Sequence, residues 1–489
     1  MQGMSRTPFG EPGALSGVGG ACRVPPVGIP AALFHLVKPV ASAARGAYRL
    51  RVRHLVWLGV YAMLCLPVTA SALSDPLTLE EALAMADQPH PDLDLAQARV
   101  EGAQAEFEQA RAQSGVRSYL DLTPQSVRPA IGSGSGMVGD SRARLTISKQ
   151  LYDFGRSRAL EDSAHFTVEA RQLIFFDERQ QRRIEIMQRF FNVILADMRY
   201  AADNEAMAHT YVTFDRGRDR HGLGQISDVD LSELEVNYQQ TLVTRTLSQK
   251  RQVSSRLQLA LALNRPEDLP HELARPTLAG LEREIPDVQT LYAEALTQNP
   301  TLLALRRETE ATRQALAAER ARRRPVLTAE GEAAWFEREF NSSNDLRATL
   351  NLRIPLYQGG EDSAAIAAGL ARLHEQEARQ ARAELDLRQT VLDLVQAAET
   401  RKVERKAAQV KISYRDLYLD RSRALYELEV RTDLGDAMAQ MTAAQWEAAQ
   451  AEYRLALAWA KIDALTGHLL TDQLPAGHLM ETKPQEKSQ

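Results

Sequence analysis

The residue types that most often act in catalysis are present, but none stands in a spacing that a reaction requires. The ten histidines include no H-E-x-x-H pair, the spacing that holds a catalytic zinc ion on a helix. No Gly-x-Ser-x-Gly segment presents a nucleophilic serine. The two cysteines, Cys22 and Cys65, are too few for a zinc ribbon, an iron–sulfur cluster or a disulfide framework. We therefore expect no enzymatic activity, no metal site and no cofactor.

Nucleotides and nucleic acids are not expected as ligands either. Gly134, Gly136 and Gly139 match the G-x-G-x-x-G pattern, but a strand-like run follows them where a dinucleotide site needs a helix. The segment is better interpreted as a hairpin loop. The net charge is −5, so the excess of positive charge that attracts nucleic acid is missing.

The N-terminal region contains the three parts of a secretory signal peptide. A basic cluster over residues 45–54 precedes the apolar run Leu55–Leu66, and the small-residue site Ala70-Ser71-Ala72 follows. We predict that residues 1–72 form an N-terminal extension and a signal peptide, the latter over about 45–72. The chain from residue 73 onward has no cysteine, which suits an oxidising compartment such as the bacterial periplasm.

The rest of the chain contains an internal repeat, with similar segments about 205 to 213 residues apart. The segment Leu151–Gly155 (LYDFG) returns as Leu356–Gly360 (LYQGG), and Glu81–Leu83 returns as Glu294–Leu296. Such internal similarity indicates a duplicated structural unit. Within one elongated protomer over residues 73–489, we predict a first repeat at about 77–265, a proline-rich linker at about 266–286, a second repeat at about 287–470 and a polar tail at 471–489.

Very long helices are predicted in both repeats. Proline is absent between residues 129 and 266 and between residues 355 and 475, and strong helix formers dominate there. Ile184, Met187 and Phe191 begin a seam of apolar residues three and four apart, as in a coiled coil. One helix from about Ser157 to Gly222 would be about 100 Å long. From the helices alone, a long soluble coiled coil is an equal alternative.

Three segments alternate between apolar and polar residues with the period of a strand: Ala143–Leu151, Leu327–Trp335 and Ala348–Leu356. A weaker fourth segment near Tyr119–Val127 is interrupted by Pro124. Their lengths are close to the 9–11 residues or so that a tilted strand needs to cross a membrane. A small sheet packed on a helix is equally consistent with the strands taken alone.

If the strands cross a membrane, their two faces meet different solvents. The side chains predicted to face lipid are Leu145, Ile147, Leu350, Leu352 and Ile354. The side chains predicted to face a water-filled lumen are Arg144, Thr146, Ser148, Arg347, Thr349, Asn351 and Arg353. Four strands cannot close a barrel, and closed bacterial barrels begin at about eight strands. Several chains must therefore pool their strands, since an open edge in lipid leaves backbone groups unpaired.

The duplicated segments resemble the TolC family of outer-membrane export channels. The resemblance rests on Leu77–Leu83, His90-Pro91, Leu151–Gly155 with its echo Leu356–Gly360, and Gly222–Val229. It covers residues 77–470, and it lies in the matched order of the segments rather than in any one of them.

The resemblance implies a mainly α-helical fold with membrane β-strands. Three chains would form a twelve-stranded β-barrel that continues as a long periplasmic α-helical barrel. It further implies an outer-membrane location, docking to a periplasmic adaptor and an inner-membrane transporter, and passive export without chemistry. A soluble periplasmic coiled-coil scaffold remains the remote alternative.

The resemblance also suggests where the channel narrows. In the family, acidic residues near the helical turn of the second repeat ring the periplasmic mouth, and Asp433 and Asp436 are the nearest acids here. Glu429 stands where glycine is expected, and Gly435 where an acid is often found. Asp228 and Asp230 are weaker candidates in the turn of the first repeat, and an ordinary solvated turn is the competing interpretation.

Two features bear on the cargo. No lipid-anchor cysteine starts the predicted mature chain, and the LYDFG segment looks more like that of channels for type I protein secretion. We therefore expect type I secretion of proteins, with efflux of small molecules or metals as the alternative.

Overall fold

A computed structural model describes residues 76–128, 136–268, 271–337, 344–430 and 433–470. The chain divides into Met1–Ser71 and Ala72–Gln489, and all the described residues belong to the second unit. The predicted signal peptide and polar tail lie outside the described residues. In the part of the chain that is described, no helix is both long and apolar enough to cross a membrane.

Long helices dominate the second unit. The helices are α1 (Leu79–Ala84), α2 (Pro91–Ala112), α3 (Arg156–Gly222), α4 (Asp228–Ala262), α5 (Val288–Gln298), α6 (Pro300–Ala321), α7 (Glu361–Glu427) and α8 (Leu434–Leu465). Short 3₁₀ turns occupy Met85–Asp87 and His468–Leu470. Helices α3 and α7 each have 67 residues, so the predicted helix Ser157–Gly222 is confirmed to within one residue.

Helices pack side by side because each has an apolar seam. α3 lies between α4 and α8, and α8 in turn packs on α7. Nearer the strands, α2 and α6 pack on α3, and α6 also packs on α7. The core at mid-length contains Phe191 stacked on Tyr453, with 4.4 Å between ring centroids, and a neighbouring cluster around Val391 and Trp459.

The strands are β1 (Val116–Thr123), β2 (Ser126–Val127), β3 (Val138–Gly139), β4 (Arg142–Tyr152), β5 (Val326–Phe336) and β6 (Leu346–Arg353). A four-stranded antiparallel sheet has the order β1–β4–β5–β6, and β2 pairs with β3. The sheet joins both repeats, since β4 belongs to the first and β5 to the second.

Two predicted strand ends are wrong, and proline explains both. The first strand begins at Val116 and stops before Pro124, rather than running from Tyr119 to Val127. The last strand stops at Arg353, so Ile354 and Leu356 lie beyond it, next to Pro355. Proline lacks the N–H that a ladder bond needs and restricts the residue before it.

The passage from strand to helix uses left-handed backbone in both repeats. Gly155 and Gly360 are the helix N-caps, with φ of 93° and 88°. In the first repeat the Asp153 carboxylate accepts the Ser157 backbone N–H at 2.6 Å and the Gln150 side-chain amide at 2.8 Å. Burial raises the pKa of Asp153, but hydrogen bonds from Ser157 and nearby backbone N–H groups outweigh burial and lower it. Gln358 stands at the equivalent position of the second repeat, so the two junctions have different chemistry.

Candidate channel surfaces

The four-stranded sheet has one apolar and one polar face. Side chains of directly paired residues lie on the same face of a sheet, so the strand register shows which residues share each face. Leu145 pairs with Leu120 and Ala333, and Ala329 pairs with Leu350. The polar neighbours in the register are Tyr119, Thr146, Glu332 and Arg347, and then Ser148, Glu330 and Thr349. The sheet therefore brings all the predicted lumen residues together on one face.

The apolar face is exposed in the single chain. Leu350 and Leu352 are 67 % and 55 % exposed, and Leu145 and Ile147 are also exposed. Aromatic side chains flank this face, with Tyr152 level with Leu327 at the helix-proximal end of the sheet and Trp335 eight positions further along β5. That separation is roughly 26 Å along the strand, close to the apolar band of about 25 Å in membrane barrels.

The centre of the polar face holds a carboxylate between two guanidinium groups. Glu332 is only 8 % exposed and lies 3.1 Å from Arg144 Nε, and Arg347 pairs with it from β6. Charge-assisted bonds of this kind compensate a buried carboxylate for its lost hydration. Glu332 is not among the predicted lumen residues. The alternation along β5 places Glu332 on the polar face. Its two partners, however, lie about 15 and 188 positions away in the chain, on other strands.

The acids of the first turn are held by local bonds. Asp228 lies 2.7 Å from His221 across the turn between α3 and α4. Asp230 and Ser227 form a capping box at the start of α4, with the Ser227 hydroxyl donating to the carboxylate at 2.8 Å. The Ser227 hydroxyl, followed by its backbone N–H, lowers the pKa of Asp230.

The acids of the second turn have longer-range neighbours. Asp433 is the N-cap of α8 and accepts the Tyr418 hydroxyl at 3.3 Å, while Asp436 accepts the Gln440 amide at 2.6 Å. Asp436 stands three residues after the N-cap, as Asp230 does in the first turn, but the Asp433 side chain makes no capping hydrogen bond, and so the capping box of the first turn has no counterpart here. A Cβ at Gly435 would lie 2.8 Å from His209 Nδ1, so the glycine allows α8 to approach α3 closely.

Glu429 adopts the backbone conformation that the missing glycine would favour. Its φ is 56°, and Gly224, at the equivalent place in the first turn, has φ 71°. A left-handed conformation costs an L-residue with a Cβ about 1–2 kcal/mol. The glycine expected from the sequence pattern therefore corresponds to a real conformational demand.

The two outermost helices carry exposed apolar residues seven positions apart. On α4 these are Val229, Val236 and Val243, and on α7 they are Val403, Val410 and Leu417. An open groove of about 660 Å³ runs along α4 beside Val236 and Val243. Sevenfold spacing is the signature of a helix seam that packs on another helix.

No group of three or more His, Cys, Asp or Glu side chains is arranged to hold a metal ion in the described ranges. The site is thus a set of surfaces: a two-faced sheet, two edge helices and two acidic turns. A sheet with a polar face and an exposed apolar face, continued by paired helices of this length, is the arrangement that the sequence pattern predicts for one protomer of a membrane channel.

Comparison with known proteins finds a family match over part of the chain. Residues 291–468 match the model of the Outer membrane efflux protein family. A search of curated proteins finds no match.

Solved structures share the fold at low sequence identity. The CmeC outer membrane channel of Campylobacter jejuni has 14 % identity, covers 80 % of this chain and 86 % of its own, and superposes with a TM-score of 0.69. The outer membrane protein VceC of Vibrio cholerae has 18 % identity, with 80 % and 96 % of the two chains covered and a TM-score of 0.65. The open MtrE channel of Neisseria gonorrhoeae has 18 % identity, 80 % and 89 % coverage, and a TM-score of 0.64.

These findings confirm the resemblance to TolC-family channels and the predicted protomer fold. Residues 291–468 are thus similar to outer membrane efflux proteins, and the chain shares the fold of solved outer-membrane channels.

We predict that Glu429→Gly stabilises the second turn, because glycine removes the cost of the left-handed conformation. Amide hydrogen exchange in the last turn of α7 should slow by about fivefold or more, the equivalent of about 1 kcal/mol. Glu429→Gln keeps the Cβ while removing the charge, and exchange in this variant should stay at the wild-type rate. Equal slowing in both variants would assign the effect to charge and contradict the account.

Proposed function

We propose that three copies of this chain assemble into one closed export conduit with a twelve-stranded barrel. The observation that carries this proposal is that both layers of the protomer end in unpaired edges. The sheet ends at β1 and β6, and the helix layer ends at α4 and α7.

The edges come in complementary pairs. β1 of one copy meets β6 of the next, and the valines of α4 meet the apolar residues of α7. Since the two edges differ, the contact is head-to-tail, and head-to-tail contacts with suitable rotation close into rings. An unpaired backbone group in lipid costs several kcal/mol, and closure of the ring gives the edge groups hydrogen-bond partners.

The faces of the sheet then take the roles that the sequence predicts. Leu145, Ile147, Leu350 and Leu352 contact lipid, and Ile354 lies just below the strand. Arg144, Thr146, Ser148, Arg347, Thr349, Asn351 and Arg353 line the lumen. The apolar face, exposed in the single chain and flanked by Tyr152 and Trp335, supports this facing.

At the opposite end, Asp433 and Asp436 are the proposed periplasmic constriction. Three copies place six carboxylates around a narrow opening, where they attract cations. Asp228 and Asp230 are the weaker candidates, because His221 and Ser227 hold them within their own turn.

The partners follow from the family: its members are trimeric channels that work with a periplasmic adaptor and an inner-membrane transporter. For the cargo, the name of the matched family favours efflux of small molecules. The Leu151–Gly155 segment is the one observation that favours type I protein secretion, which stays a prediction.

Deletion of the gene separates the two cargo classes. A mutant that becomes sensitive to toxic compounds, with unchanged secreted proteins, supports efflux. Loss of a secreted protein with unchanged drug sensitivity supports type I secretion. If neither changes, and the protein is released by osmotic shock instead of requiring detergent, the conduit itself is refuted in favour of a soluble scaffold.

A charge on the lipid face should block assembly. Leu350→Arg places a guanidinium in hydrocarbon and should cost about 2–4 kcal/mol per chain near the bilayer midplane. Asn351→Arg, the adjacent residue on the lumen face, is the matched control and should be milder. The yield of detergent-extracted trimer measures both, and equal losses would mean that the assigned facing is wrong.

Removing the proposed constriction should change ion selectivity. Asp433→Ala with Asp436→Ala takes away six carboxylates per trimer, so single-channel recordings should show a lower preference for cations. The double variant Asp228→Ala with Asp230→Ala is the control, with a smaller expected effect. Unchanged selectivity in the first variant would exclude Asp433 and Asp436 from the constriction.

A further inference from the structure

The polar face of the sheet carries more positive than negative charge. The strand register places on it five arginines and three acids: Arg117, Arg142, Arg144, Arg347 and Arg353, with Asp121, Glu330 and Glu332. Within the four strands this is an excess of two positive charges per chain, or six in a trimer. The remaining cation of these strands, Lys149, lies on the apolar face opposite Val116 and Ala329.

The acids of this face lie largely beside arginines. Glu332 is held between Arg144 and Arg347. Asp121 is the register partner of Arg144 on β1. A carboxylate placed beside a guanidinium contributes little net field, so these acids do not offset the other arginines.

The surplus cations lie at the helix-proximal end of the sheet. Arg117 is opposite Ser148, and Arg353 is opposite Val326, so neither has an acidic partner in the register. The Arg117 guanidinium makes a long contact of 3.4 Å with the Gln113 carbonyl, which leaves its positive charge uncompensated. The two residues stand on the edge strands β1 and β6, and closure of the ring brings one from each neighbouring copy to the same seam.

We propose that this face makes the barrel lumen favourable to anions, and that the exported compounds are organic anions. The inference rests on the proposed trimeric conduit. Guanidinium groups stay charged at all physiological pH values and bind carboxylate, sulfonate or phosphate groups in a bidentate manner. Rings of arginine favour anions in a pore, and low-dielectric walls strengthen their field.

The test compares variants by the direction in which they shift selectivity, because the acidic mouth contributes a field of opposite sign. Full-length protein is extracted in detergent and reconstituted into a planar bilayer under a KCl gradient, and the reversal potential gives the chloride-to-potassium permeability ratio. Arg117→Gln with Arg353→Gln should lower this ratio by about twofold or more. Lys149→Gln removes one positive charge per chain from the other face and should leave the ratio unchanged.

A variant that removes a negative charge keeps the test decisive if the arginine variant does not assemble. Glu330→Gln removes an acid whose register partners, Ser148 and Thr349, are neutral, and it should raise the chloride preference. Replacing chloride by benzenesulfonate tests the organic class, and this anion should carry current through the wild-type channel.

Unchanged ratios in a conducting channel would overturn the proposal while leaving the conduit intact. An equal shift in Lys149→Gln, or a channel that conducts chloride but not benzenesulfonate, would also overturn it. Absence of any conductance in the wild-type protein would instead refute the proposed function itself.

Discussion

The structure depends on one constraint: backbone hydrogen-bonding groups that face hydrocarbon must find partners within protein. A sheet of four strands, β1–β4–β5–β6, satisfies its interior but leaves two edges. The same chain leaves an apolar sheet face and apolar seams on α4 and α7 exposed. In the proposed trimer, association with further copies covers all of these features at once.

The duplication explains how a chain with mostly local helical contacts builds a channel. Each repeat supplies two strands and one pair of long helices, and the pairing of β4 with β5 ties the repeats together. Small differences between the repeats carry the specific chemistry. Asp153 anchors one strand-to-helix junction where Gln358 stands in the other, and Gly435 lets α8 pack closely against His209.

Much of this fold is readable from local patterns. Proline-free windows and apolar seams predict the helices, and Gly155 and Gly360 mark the junctions, where the backbone is left-handed. The missed features depend on long-range contacts. Nothing near Glu332 in the sequence shows that Arg144 and Arg347 will flank it, because strand register joins residues far apart in the chain. The end of β6 is not readable from alternation, because the pattern continues to Leu356 past Pro355 while the strand stops at Arg353. The roles of Asp433 and Asp436 depend on the assembled mouth, which a single chain does not determine.

Amide hydrogen exchange at the edge strands tests the central claim most directly. In the detergent-extracted protein, the alternate amides of β1 that do not bond to β4, and those of β6 that do not bond to β5, are expected to exchange as slowly as the amides inside the sheet. That protection would show that sister subunits complete the edges. Fast exchange at these amides, beside slow exchange in β4 and β5, would show open edges and contradict the account.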